Sequence, residues 1–289
     1  MRKIKKIGLS NTGEKISVIG QGTWSIKRGK DKYYYEHWKN LMKKGIEHGI
    51  THINTSETDG QGLGESITGD VIAKYNRDDL FLTGNLSPRH IRDKNMKKTV
   101  RESLRRLGIS YFDLYLISGS TLLMKNKKCL KFLEDLVDEG KTRYIGVRNV
   151  SVNRFKKVQN NLRKYELINN QLKAKIDFPH HVHTSLVYYQ KKGITTTIYN
   201  PTNDLKNTGI NWDYREIVNQ IAEKHNSTAQ QISIAWLINQ LNVITLISPF
   251  QINQLGKIEN VIDIRLTEKE IDAIYKFEDL FEAENSQWM

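Results

Sequence analysis

The feature that most constrains this chain is a repeat: eight times a short apolar run is followed by a stretch with apolar residues at helical spacing. The runs are 17–22, Thr51–Asn54, 79–85, 111–117, 143–147, 166–171, 194–199 and 242–247. Helices are predicted at Tyr34–His48, Leu63–Tyr75, Ile91–Leu107, Met124–Asp138, Tyr214–His225, Thr228–Asn239, Ile252–Val261 and Thr267–Phe277, with others in the gaps at 148–165 and 172–193. Gly49, Gly108, Gly140 and Gly193 stop four of them, as left-handed C-caps do. Apolar strands alternating with helices are the pattern of a parallel sheet covered on both faces. Eight units closing on one another predict an α/β fold, a (β/α)8 TIM barrel, for which about 250 residues is usual. Residues 3–18, with N-T-G-E at a turn, predict an N-terminal β-hairpin, and the last helical stretches are extra C-terminal helices. No break in composition suggests a linker, so residues 1–289 are expected to form one domain.

Composition narrows the chemistry. A single cysteine, Cys129, leaves no partner for an internal disulfide and no paired thiols for a metal site. The start, M-R-K-I-K-K, has no apolar run after its charges, and nowhere do about 18 apolar residues follow one another, so the expectation is a cytoplasmic protein with no membrane partner. The net charge of +13 is spread over nearly every predicted helix and is unaccompanied by any nucleic-acid reading motif. It favours a lysine-rich surface over a nucleic-acid partner, and the acidic run F-E-D-L-F-E-A-E-N near the end points the same way. P-H-H-V-H at 179–183 is a histidine cluster, read as a loop after the sixth strand. Without carboxylates at metalloenzyme spacing it does not make a metal site, and none is expected.

The stretch G-I-T-H-I-N-T-S-E-T-D-G (49–60) ends a strand in a polar loop, the place where a barrel presents reactive side chains. Together with I-G-Q-G-T-W (19–24), E-S-L-R-R-L-G (102–108), Y-F-D-L-Y-L-I (111–117), D-E-G-K-T-R-Y-I-G-V (138–147) and T-A-Q-Q-I-S-I-A-W-L (228–237), it resembles the aldo-keto reductase family over nearly the whole chain. The resemblance implies hydride transfer between NADP and a carbonyl. In the family the proton comes from a tyrosine, assisted by a lysine, an aspartate and a histidine. The matching positions here are Asp59 for the tyrosine, Asn85 for the lysine, Asn54 for the aspartate and Ser118 for the histidine, so all four residues of the tetrad are replaced. It further implies that Thr23, Trp24, Arg148, Asn149, Gln171, Tyr199 and Ser248 occupy cofactor-binding positions. Arg148 stands where serine is usual, and Ser248, Gln251 and Asn253 lie where phosphate is held, without the usual basic residues.

An ordinary aspartate, with a pKa near 3.9, is ionised at neutral pH and accepts protons instead of donating them. Beside a developing alkoxide it would repel the charge to be stabilised. Replacing both members of a buried ion pair by neutral groups can be nearly neutral in energy, so Asn54 and Asn85 read as a site changed as a set. The sequence therefore favours a pseudoenzyme: a catalytically inactive or repurposed barrel binding a small ligand, NADP among the candidates, at its C-terminal mouth. The alternative is an NADP-dependent oxidoreductase of aldehydes or ketones, or a non-redox enzyme, using Asp59 or Glu57. A third class is a scaffold for a protein or an acidic polymer. His52 is expected to pack within the barrel wall.

Overall fold

The computed structural model describes residues 4–28, 31–92, 95–118, 127–174, 180–201, 212–254 and 258–275. Strands β1 (Lys6–Gly8) and β2 (Lys15–Ser17) pair antiparallel as the expected hairpin. The other eight strands are β3 (Ile19–Gly22), β4 (His52–Ser56), β5 (Phe81–Leu86), β6 (Phe112–Ser118), β7 (Thr142–Arg148), β8 (Leu167–Lys173), β9 (Thr195–Tyr199) and β10 (Val243–Ile247). They run parallel in chain order, and β10 closes on β3 to complete the barrel.

Around it lie helices α1 (Lys32–Glu47), α2 (Leu63–Ile72), α3 (Pro88–Arg92), α4 (Met96–Leu107), α5 (Lys127–Asp138), α6 (Val152–Asn161), α7 (His180–Lys191), α8 (Trp212–Lys224), α9 (Ala229–Ile238), α10 (Pro249–Gln254) and α11 (Ile258–Asp263), with residues 268–275 also helical. Local sequence sets several of their ends. Asp31 caps α1 by accepting from the Tyr34 amide, and Thr228 and Gln231 form a reciprocal capping box at α9. Gly49 ends the α1 region at φ +86°, and a side chain there would crowd the Ile4 backbone.

Two helices differ from the sequence reading. The single helix expected at Ile91–Leu107 is α3 and α4. Pro88 starts α3 early, because its fixed φ and missing N–H suit the first helical turn. The helix expected at Ile252–Val261 likewise starts at Pro249, and α11 follows residues 255–257, which lie outside the described residues.

The interior changes character along the strands. Phe81, Leu114, Leu116 and Ile244 pack with Leu9 and Ile16 of the hairpin region, a cluster separate from the larger one between sheet and helices. Side chains alternate along a strand, so Thr83 and Asn85 follow Phe81 on the inner face, and Ser118 follows Leu116. The apolar floor thus gives way to a polar layer near the C-terminal ends. Asp113 fastens the opposite end. Its carboxylate accepts from Arg77 at 2.7 Å, Arg143 at 3.1 Å and the Leu82 amide at 2.7 Å, while Arg143 also pairs with Glu14 of the hairpin.

Candidate active site

The four residues expected from the resemblance to stand in for the tetrad all come from the C-terminal ends of neighbouring strands or the turn that follows. Asn54 is on β4, Asn85 ends β5, Ser118 ends β6, and Asp59 opens the turn between β4 and α2. Residues Gly60, Gln61 and Gly62 all adopt positive φ, a sharp reversal that lays Asp59 back against the strand ends. Such a run is costly for Gln61, whose Cβ disfavours this region.

Asp59 is half-buried, and its Oδ2 accepts from Thr23 Oγ1 at 2.5 Å. Thr23 Oγ1 is also 2.9 Å from Thr55 Oγ1. Burial pushes the Asp59 carboxyl up to about 6, with a further upward contribution from Glu57. Its hydrogen bonds from Thr23 and the Ser56 backbone and the positive charge of Arg148 work the other way. This corrects the expectation of an ordinary ionised loop carboxylate. Loss of water around the group, more than repulsion by Glu57, sets its acidity.

Asn85 Nδ2 donates both to Asn54 Oδ1 and to the Thr55 carbonyl, each at 3.1 Å. Because that nitrogen faces two acceptors, the orientations of both amides are fixed. Asn54 Nδ2 and Asn85 Oδ1 are left buried without a partner. His52, as expected, packs inside, 3.0 Å from Thr83 Oγ1, and burial pushes its pKa down to about 3, so the ring is neutral.

Several of the residues expected at cofactor positions gather on the neighbouring strands β6 to β9. Ser118, Arg148 and Gln171 lie side by side in register across β6, β7 and β8. The Arg148 guanidinium sits 4.2 Å from the centre of the Tyr199 ring, and Trp24 meets that ring edge-on at 6.1 Å. Trp24 folds over Gly22, where any side chain would strike the indole. Asn149, at φ +54°, donates to the Tyr199 hydroxyl at 2.9 Å and accepts from the Lys173 amide at 3.2 Å. Gln171 Nε2 and Arg148 Nε are buried without partners. Asn170, by contrast, is structural: it donates to the Val150 carbonyl and the Tyr189 hydroxyl.

Ser248 and Gln251 spend polar groups on each other in a reciprocal cap at α10, with the Ser248 amide donating to Gln251 at 2.7 Å and the Gln251 amide to Ser248 Oγ at 3.2 Å. The side chain of Asn253 lies outside the described residues, as do Pro179 and the side chains of His180, His181 and His183. The backbone from His180 on is α7, a helix and not the loop expected, and the buried pair Leu186 and Tyr189 shows the i,i+3 spacing that favours it.

Glu57 is a candidate in the sequence, but its pairing with His90 is not foreseen there. Glu57 is buried and accepts from Ser56 Oγ at 2.8 Å, the Ser87 amide at 2.8 Å and His90 Nδ1 at 3.0 Å. Its partner His90 comes from α3, and S-P-R-H, with Pro88 starting a short helix, was the available signal.

In a closed parallel barrel, the C-terminal mouth, where these polar side chains converge, is where a functional site is expected. Residues 18–279 match the model of the aldo/keto reductase family, and the chain belongs to that family. It is 25% identical to methylglyoxal reductase YeaE from Escherichia coli strain K12, over 90% of both chains. It is 27% identical to a glyoxal reductase from Bacillus subtilis strain 168, over 91% of this chain and 90% of that one. Among solved structures, a thermostable aldo-keto reductase in complex with the inhibitor epalrestat superposes with a TM-score of 0.85 at 29% identity, covering 94% of this chain and 98% of the other. The fold also matches a Klebsiella pneumoniae aldo-keto reductase in complex with NADPH, with a TM-score of 0.80 and 24% identity over 95% of each chain. Among the described residues no helix is long and apolar enough to cross a membrane.

Proposed function

We propose that this chain is an NADP(H)-dependent oxidoreductase that reduces a small carbonyl compound, with Asp59 in its protonated form as the proton donor. The observation that carries the reading is the setting of Asp59: half-buried at the tyrosine position, held by Thr23, with its carboxyl pushed up to about 6. A carboxylic acid that keeps its proton in weakly acidic solution can donate to a carbonyl oxygen, which an ordinary aspartate cannot. This reverses the order of the two readings drawn from the sequence, whose premise was an ionised Asp59.

The residues present fit a nicotinamide in part. Gln171 Nε2 is an unpartnered donor, while the Tyr199 ring, with Asn149 on its hydroxyl, is already met by the Arg148 guanidinium. When bound, the cofactor supplies the hydride that reaches the carbonyl carbon. Asp59 delivers the proton to the carbonyl oxygen, completing the alcohol, and Thr23 then stabilises the carboxylate left behind. Asn54 and Asn85 supply a neutral polar wall that holds the carbonyl without a fixed charge.

The test is NADPH consumption in the presence of methylglyoxal, followed from acidic to neutral pH. The rate is expected to fall as pH rises through about 6, and Asp59→Asn is expected to lower it at least about 100-fold, the usual scale for losing a general acid. A second reading rests on Arg148, which covers the Tyr199 face that a nicotinamide would need. Tight quenching of tryptophan fluorescence by NADPH, with no turnover of any carbonyl at any pH, would make the chain a silent binding barrel.

A further inference from the structure

We infer that Arg106 is a positioning residue for Asp59: from the outer layer of helices it fixes the turn that holds the carboxyl against Thr23. The inference rests on the reductase reading for what Asp59 does, and on packing distances alone for what Arg106 does. The turn itself is weakly supported from within. Gly60, Gln61 and Gly62 all stand at positive φ, and its own hydrogen bonds are local: the Gln61 amide donates to the Thr58 carbonyl at 3.2 Å, and the Leu63 amide faces the carbonyls of Asp59 and Gly60. A run of this kind persists only where its surroundings hold it.

Arg106, one residue from the end of α4, meets one face of α2 at three levels. Gly62, Glu65 and Gly69 share that face at the spacing i, i+3 and i+7. Arg106 Nε donates to Glu65 Oε2 at 2.5 Å, and the carboxylate is buried. A Cβ added at Gly69 would stand 2.6 Å from the Arg106 carbonyl oxygen, so the two helix backbones touch there. A Cβ added at Gly62 would stand 2.9 Å from Arg106 Nε, so the guanidinium lies directly against the backbone of the turn. Arg106 Nη2 also donates to Ser103 Oγ at 3.3 Å, which ties the side chain to its own helix.

The first turn of α2 carries this hold to the site. A Cβ added at Gly64 would stand 3.0 Å from Asp59 Cβ and 3.1 Å from Thr23 Oγ1, so the helix backbone packs directly on the pair. On the remaining side, a Cβ added at Gly60 would stand 3.2 Å from the Lys27 carbonyl oxygen. The start of α2 is therefore in contact with Arg106 on one face and with Asp59 and Thr23 on another, and close packing passes a displacement of the one to the other. Burial is the largest upward contribution to the Asp59 carboxyl. A turn that drifts from the strand ends admits water and returns the group toward an ordinary aspartate. The other charges acting on Asp59, Glu57 and Arg148, stay in place when Arg106 is changed, as does His90 beyond Glu57.

The experiment compares Arg106→Met with Arg77→Met in the full chain without cofactor. Arg77 pairs with Asp113 at the opposite end of the barrel with the same side-chain exposures as Arg106 and Glu65, 22% and 2%, so it controls for lost stability alone. The readouts, both by NMR, are hydrogen exchange of the Leu63 amide and titration of the Asp59 carboxyl carbon. Arg106→Met is expected to speed Leu63 exchange about 10-fold and to move the Asp59 titration from about 6 toward the ordinary value of about 3.9, while Arg77→Met leaves both as in wild type. Arg106→Lys, which keeps a donor for Glu65, should restore part of each. Circular dichroism melting checks folding, and should Arg106→Met not fold, the double change Glu65→Gln with Arg106→Gln, which leaves no buried charge alone, carries the comparison. Leu63 exchange that is unchanged in the folded variant, or raised as much by Arg77→Met, overturns the assignment, as does an Asp59 titration that stays at about 6. A wild-type Asp59 that titrates as an ordinary aspartate counts against the reductase reading, and Leu63 exchange then decides Arg106 by itself.

Discussion

The two ends of the barrel treat their polar groups in opposite ways. At the N-terminal end Asp113 receives two arginines and a backbone amide, and Arg143 carries the contact on to the hairpin, so both carboxylate oxygens are occupied. Ser10 ties the hairpin region down again, donating to the Ile168 carbonyl at 2.5 Å and accepting from the Thr195 amide at 2.8 Å. At the C-terminal end Asn54, Asn85, Arg148 and Gln171 each retain a buried polar atom with no partner. Burying such an atom unsatisfied costs about 1–3 kcal/mol, at the mouth as at Arg77 Nε on the floor. Unpartnered atoms also occur elsewhere, at Arg77 Nε and His52 Nδ1 among them, so the contrast lies in the charges: Asp113 is paired with two arginines, whereas Arg148 at the mouth has no ion pair with a described carboxylate.

That contrast can be broken by mutation. The largest effect belongs to the floor. Asp113→Ala removes the carboxylate that Arg77, Arg143 and the Leu82 amide share, and should lower stability by about 3 kcal/mol in urea unfolding. Next comes Asp59→Asn. A carboxyl whose folded pKa is raised binds its proton more tightly in the native state, so its stabilising contribution is complete below about pH 4 and is lost as pH rises through about 6. The asparagine variant should therefore be about 1–2 kcal/mol more stable than wild type above pH 6, and the gap should close on acidification. The double change Asn54→Leu with Asn85→Leu should change stability by no more than about 1 kcal/mol, because it removes two unsatisfied atoms along with two hydrogen bonds. A loss as large as that of Asp113→Ala would erase the distinction between the two ends. Lys131→Ala, which removes an exposed i,i+4 pair with Asp135, should change stability by less than about 0.5 kcal/mol.

The barrel was legible in the sequence because its signals are local. Apolar runs, helical spacing and glycine stops each act within a few residues, and each of the eight strands falls within about two residues of the span read from them. The candidate site positions came from the resemblance to the aldo-keto reductases, and Asn54, Asn85 and Ser118 do lie toward the C-terminal ends of their strands. Their chemistry could not be read that way. The acidity of Asp59 depends on Thr23, thirty-six positions earlier, and on burial by a turn whose three positive-φ residues the sequence does not announce. The pairing of Glu57 with His90 and the stacking of Arg148 on Tyr199 join residues from separate βα units, which only closure of the barrel brings together.

The central claim is the proposal that Asp59, whose carboxyl burial pushes up to about 6, donates the proton to the carbonyl in weakly acidic solution. The most direct measurement is the pH dependence of NADPH-driven carbonyl reduction by the wild type and by Asp59→Asn. The account predicts a wild-type rate that declines as pH rises past about 6 and an asparagine variant that is nearly inactive throughout. A rate independent of pH across that range, or an asparagine variant as fast as the wild type, would contradict it.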